Sequence, residues 1–284
     1  MNPAPLADTL VVMVDMLPLP HWTALASLDD DAVPLMSTAL LIARDEYPQL
    51  DAELYDTLVQ SHVEHLRREV DAIDLWPLKM AAVNRYLFDE LGYSGNHDEY
   101  YDPRNSYLNE VFERRLGNPI SLAMVQIEVA RRLGIPLAGV SFPGHFLVRL
   151  PVDDGVLVMD PFNGGRPLGV DELRERARPH LGGEIPDDRA LAQILDPAPH
   201  RAILIRSCAT CMASTPMPSI GTAPPAAPTA FSSWCRTSPK RCAIAAWRIC
   251  TSGTAAAPAT TWRVTCSCTP ARRTPQACMS TWLN

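Results

Sequence analysis

The sequence predicts an α+β fold, on three observations. Helical patterns fill the first hundred residues, strand patterns cluster between residues 138 and 160, and a helix apolar on two faces lies between them. Helices early and antiparallel strands late in one chain point to a sheet covered by helices rather than to alternating βαβ units.

Each element has its own signal. Residues 35–46 are apolar-rich and close before Pro48. Asp51 is placed to cap a helix reaching about Val70, because Tyr55, Leu58, Val59, His62, Val63, Leu66 and Val70 recur on one face. A third helix starts near Pro77, turns Met80, Val83, Leu87 and Leu91 inward, and stops at Gly92. The loop up to Asn105 is rich in Gly, Asn, Asp and Tyr, and residues 106–116 read as a short helix ended by Gly117. The best-defined element follows: Asn118 is an N-cap, Pro119 a first helical residue, and Gly134 with Pro136 a stop. Ile120, Met124, Ile127 and Ala130 form one apolar face of that helix, and Leu122, Val125, Val129 and Leu133 a second, which makes it central to the fold. Strands are expected at about 138–142, 145–150 and 156–160, with Asp153-Asp154-Gly155 between the last two. Gly164-Gly165 closes the unit, and residues 170–177 form a further short helix.

Charge divides the chain. Residues 1–200 carry all 32 acidic side chains against 16 basic ones, a net −16, whereas residues 201–284 carry nine basic residues and no acid. An acidic folded part argues against nucleic acid as the main partner. No basic start precedes an apolar core at the N-terminus, and no run of about 18 apolar residues occurs, so neither export nor a membrane is expected and the cytoplasm is the default. No cofactor or metal site is expected: there is no Gly-rich strand-to-helix loop, and His62, Glu64 and His65 lie along a packed helix with no third ligand placed.

All eight cysteines fall after Arg206, in a stretch rich in Pro, Ala, Ser and Thr and devoid of Asp, Glu and His. Cys208 and Cys211 have no matching second pair for zinc, and Cys266 and Cys268 are too close-set for a knuckle. A GC-rich gene read out of frame gives such mixtures. Shifted by one base with permissive third positions, Arg241 to Gly253 becomes Leu-Arg-Asp-Arg-Gly-Leu-Ala-Tyr-Leu-His-Leu-Gly, which resembles the core of a tetratricopeptide repeat. The expected organisation is an N-terminal extension over 1–34, a folded domain over 35–206, and a frameshifted, disordered tail over 207–284.

Two residues stand out chemically. A five-residue hairpin loop over 151–155 pairs Phe146 with Asp160 and sets His145 beside it, within reach to orient an imidazole; a tighter turn at Asp154-Gly155 puts Asp160 opposite Arg149 instead. An Asx turn before Pro161 accounts equally well for Asp160. The first turn of the central helix offers Ser121 as its only hydroxyl, a residue type that more often makes a local hydrogen bond there than a nucleophile. Arg104, Asn105, Asn109 and Asn118 are candidates either to line a polar cleft or to tie down the loop before them.

The ordered motifs Tyr101-Asp102-Pro103-Arg104-Asn105-Ser106-Tyr107-Leu108-Asn109, Gly117-Asn118-Pro119-Ile120-Ser121-Leu122, Phe142-Pro143-Gly144-His145-Phe146 and Asp160-Pro161-Phe162-Asn163-Gly164-Gly165 resemble the bacterial SirB-type family. That family joins a transglutaminase-like domain to C-terminal tetratricopeptide repeats. The resemblance spans roughly residues 35–206 and implies a papain-like core, a central helix against an antiparallel sheet, with Cys, His and Asp as the catalytic set of active members. It assigns the His and Asp positions to His145 and Asp160 and puts the cysteine near Pro119, where this sequence has none. The expectation is a transglutaminase-like protein without its thiol, acting in the cytoplasm as a non-catalytic binding or regulatory module for a protein partner. The alternative is a hydrolase or acyltransferase using Ser121, His145 and Asp160.

Overall fold

The computed structural model describes residues 19–20, 24–25 and 27–213. Three helices come first: α1 (Leu35–Glu46), α2 (Ala52–Asp71) and α3 (Trp76–Asn84). Asp51 caps α2 by accepting from the Glu53 N–H, and Tyr55, Val59, His62, Val63, Leu66 and Val70 are its buried stripe. Helix α3 widens into a π-helical turn over Arg85–Glu90, where the Leu91 N–H reaches back to Tyr86 O. No local sequence signal announces that change of pitch.

The loop after Gly92 is pinned by two short parallel strands, β1 (Ser94–Gly95) and β2 (Leu116–Gly117), with α4 (Leu108–Arg114) between them. The expected helix over 106–116 is thus shorter at both ends: a 3₁₀ turn at Pro103–Ser106 precedes it and Arg115 ends it at φ 57°. Helix α5 (Pro119–Arg132) is the hub, with every residue from Pro119 to Ala130 buried. Two of its buried polar side chains, Glu128 and Gln126, find partners among neighbouring side chains, although Gln126 Oε1 has none among the described residues. Glu128 pairs with Arg131 and Arg132, and Gln126 Nε2 donates to Asn84 Oδ1 at 2.5 Å.

The sheet is antiparallel in the order β3 (Ala138–Val140), β4 (Leu147–Val152), β5 (Gly155–Asp160), β6 (Arg166–Pro167). Val148 and Leu150 of β4 face α5 in the main core, while Leu147 and Val158 face a second cluster with Leu173 of α6 (Val170–Ala177) and Leu191 of α7 (Asp188–Ile194). A mixed helix-and-sheet fold with a central helix against an antiparallel sheet is therefore what forms. The hairpin differs from both expected registers. Val152 pairs with Gly155 across a two-residue turn, so Val148 faces Met159 and the next position out puts Leu147 opposite Asp160. Asp153 and Asp154 lie in the turn, as expected, but the loop is two residues long, a length that neither expected register used.

Helix α8 (His200–Ala213) packs Ile203 and Leu204 into the main core. Its Arg201 holds the segment before α1, bonding to Asp30 Oδ1 at 2.5 Å and to Leu28 O at 2.8 Å, and Leu25 and Val33 belong to the same core. The helix continues into the stretch expected to be tail, with Cys208 and Cys211 buried. The rest of that expected tail, residues 214–284, lies outside the described residues, as do 1–18 of the N-terminal extension.

Candidate functional site

Phe142-Pro143-Gly144-His145 folds as a tight turn closed by the His145 N–H donating to Phe142 O at 3.1 Å. Pro143 suits the second position, and Gly144, at φ 68°, the third. A Cβ on Gly144 would fall 2.1 Å from Nε2 of His180, so a side chain there would have to displace the His180 imidazole. His145 is the last residue of this turn rather than the first of the strand, two residues ahead of Leu147. Side chains alternate along a strand, so the observed register brings His145 diagonally onto Asp160.

The two side chains meet: His145 Nε2 lies 2.8 Å from Asp160 Oδ1. Asp160 is wholly buried. It also accepts from the Phe162 N–H at 3.2 Å, from Asn163 Nδ2 at 2.7 Å and from Arg176 Nη1 of α6 at 2.9 Å. Burial on its own would raise this carboxyl; the His145 hydrogen bond and charge, with Asn163 and Arg176, outweigh it and hold the group well below the usual carboxylate range. An ionised Asp160 only accepts, so Nε2 carries a proton; in the neutral form of the ring Nδ1 is then the acceptor, and it has no partner among the described residues. An imidazole oriented in this way is fit to take a proton from a bound group or to accept a hydrogen bond from one.

Phe162 forms the floor beside it. Its ring centroid lies 6.1 Å from that of His145, 4.5 Å from that of His97 and 5.7 Å from that of Tyr100. A Cβ on Gly95 would fall 2.6 Å from the Phe162 ring, so β1 is laid directly against it. Tyr100 and Tyr101 stand exposed on the loop above, which gives the imidazole an aromatic rim.

Ser121 is placed for a different task. Its Oγ donates to Asn105 O at 2.6 Å and accepts from the Asn118 N–H at 3.0 Å, while Asn118 Oδ1 accepts from the N–H groups of Ile120 and Ser121, both at 2.9 Å. This is a reciprocal cap of α5, and the side chain is fully buried. Asn118 Nδ2 further donates to Ser106 Oγ at 2.9 Å. Asn105 uses its amide to hold the loop: Nδ2 donates to Glu99 O and Tyr100 O, and Oδ1 accepts from Asn96 Nδ2. Arg104 is paired with Asp102 at 2.7 Å, and Asn109 is buried on α4 with no partner for Oδ1 among the described residues. The candidate residues thus separate into a meeting pair, His145 and Asp160, and a scaffold of Asn105, Asn118 and Ser121 beneath the loop.

Sequence reasoning missed Asn163, Arg176 and the ring of Phe162. Asn163 follows Asp160 by three residues, a spacing that favours local Asx contacts and was there to be read. Arg176 comes from a separate helix, and nothing local marks it. Among the described residues no group of three or more His, Cys, Asp or Glu is arranged to hold a metal, and no helix is long and apolar enough to cross a membrane.

Comparison with known proteins adds a family. The transglutaminase-like superfamily profile matches residues 53–209. A UPF0162 protein of Xylella fastidiosa (strain 9a5c) is 82% identical over 194 residues, covering 68% of this chain and 69% of the relative. A UPF0162 protein of Vibrio cholerae is 31% identical over 144 residues, 48% of this chain and 51% of the relative. F-box only protein 21 of Homo sapiens is 38% identical over 118 residues, which are 38% of this chain and 19% of that protein. No solved structure matches.

Proposed function

The chain belongs to the transglutaminase-like superfamily and is a relative of the UPF0162 proteins, and on that premise we propose that it is a non-catalytic binding module. One observation carries the reading: the only hydroxyl in the first turn of α5 is fully buried and its proton is committed to Asn105 O. The resemblance puts the thiol near Pro119, and a prolyl ring supplies neither a nucleophile nor an N–H. What remains is a fixed imidazole with an acceptor nitrogen, walled by Phe162 and rimmed by Tyr100 and Tyr101. Such a surface recognises a ligand by one directed hydrogen bond and aromatic contact. The occurrence of a similar stretch as a minor part of F-box only protein 21 fits a domain used as a module within larger proteins.

The fuller reading is a cytoplasmic SirB-type protein, with a transglutaminase-like domain over 35–206 and tetratricopeptide repeats beyond it, the repeats lost here to a frameshift near codon 207. A relative of comparable length that is 82% identical over 194 residues, about two thirds of each chain, fits a change of frame over the rest. The family profile ends at residue 209, close to that point. Sequencing the gene across codon 207 tests it: a restored frame encoding helical repeats is expected, and an uninterrupted gene with the same codons in every isolate contradicts it.

The binding-module reading is tested by incubating the full chain with a glutamine-containing peptide and a labelled primary amine, and with ester and amide substrates. No amine incorporation and no hydrolysis above that of a His145→Ala variant is expected. Turnover that the variant abolishes overturns the reading.

A further inference from the structure

Arginines around the cleft are matched by carboxylates: Arg104 and Arg114 by Asp102, Arg166 by Glu172, Arg176 by Asp160. Arg206 of α8 has no carboxylate partner among the described residues. Its Nη2 donates to His145 O at 2.8 Å and to Phe142 O at 3.2 Å, and its guanidinium lies over the Phe146 ring, 5.8 Å from the centroid. Both protons of Nη2 are thereby used on the turn that carries the imidazole. Nε and Nη1 have no hydrogen-bond partner among the described residues.

Two neutral carbonyls orient a guanidinium but do not neutralise it, and a half-buried cation without a counter-ion is costly to keep. Burial pushes Arg206 below the ordinary arginine value; Tyr100 is the one described group that acts against this, and no carboxylate does. The same Tyr100 meets Phe162 edge-on, so the guanidinium, the aromatic rim and the imidazole share one neighbourhood.

We propose that Arg206 is the anion receptor of the cleft, its free N–H groups taking an oxyanion, a carboxylate or a phosphate, of a ligand bound beside His145. The inference rests on reading the cleft as a binding site and names the class of ligand it takes. Arg206 fixes both the charge at the site and the turn bearing His145, so an anion bound there lies beside the residue that carries the imidazole.

The test titrates the full chain, with arginine labelled in ¹⁵N, with glutarate and separately with inorganic phosphate at constant ionic strength. The Arg206 Nε–H resonance, assigned by through-bond connectivity, is expected to shift saturably. A response to glutarate alone assigns a carboxylate ligand, and to phosphate alone a phosphorylated one. Arg206→Met is expected to weaken binding about tenfold or more, as loss of a charge-assisted hydrogen bond requires. An Arg206 resonance unmoved by either anion overturns the proposal without reference to any variant's folding, as does a folded Arg206→Met that binds as tightly as the parent. Anion binding together with amine incorporation would leave this inference standing and sink the non-catalytic reading; an inert chain that binds no anion would do the reverse.

Discussion

Replacing Asp160 by Asn isolates what the buried carboxylate contributes. Oδ1 serves His145 Nε2 and the Phe162 N–H; Oδ2 serves Asn163 Nδ2 and Arg176 Nη1. An amide keeps one acceptor and turns the other into a donor, so in either orientation one pair of donors loses its partner. The side chain is fully buried, and water does not restore the loss. At about 1–3 kcal/mol per unmade bond to a charged or buried group, two lost bonds give about 3–5 kcal/mol, the range for breaking a buried ion pair from one side. Urea unfolding of the parent and Asp160→Asn measures the difference, and imidazole ¹⁵N spectra report whether Nε2 of His145 still holds the proton. A loss of about 3–5 kcal/mol with a mixed tautomer is expected. A loss under about 1 kcal/mol refutes the claim that the buried carboxylate holds this cluster of donors together.

Other outcomes follow from the same contacts. Ser121→Ala is expected to cost about 1–2 kcal/mol in stability, as loss of a helix cap does, and to leave ligand binding at the cleft intact. Gly144→Ala is expected to cost about 1–2 kcal/mol from its left-handed backbone plus the collision with His180; adding His180→Ala should recover only the collision, measured by thermal unfolding. Burial raises the Glu46 carboxyl from its ordinary 4.5 to about 7. The folded chain therefore holds a proton that the unfolded one releases, so this group's contribution is full below about 4.5 and is lost as pH rises to about 7. Glu46→Gln should flatten that fall in urea titrations across the same window.

Much of the fold was legible because its signals are local. Asp51, Asn118 and Pro119 mark helix starts by chemistry that acts within three residues, and α1 and α6 run over the residues their apolar spacing indicates. The hairpin register was not, since Asp153, Asp154 and Gly155 are compatible with several turns and one residue of slip reverses which side chains share a face. The π-helical turn of Arg85–Glu90 and the β1–β2 pairing arise from packing between distant segments and leave no periodic trace. At the site, His145 and Asp160 could be picked out by their flanking turns, whereas Arg176 and Arg206 reach it from separate helices that only the folded chain brings near. Helix α8 also escaped notice, because its apolar residues sit against a composition break that masks its period.

The proposal that the chain has no usable nucleophile is tested most directly by intact-mass analysis of the full chain after treatment with a fluorophosphonate, followed by peptide mapping. With Ser121 Oγ committed to Asn105 O under the cap of α5, no adduct is expected on Ser121. A stoichiometric adduct there, lost in Ser121→Ala and in His145→Ala, would contradict the account.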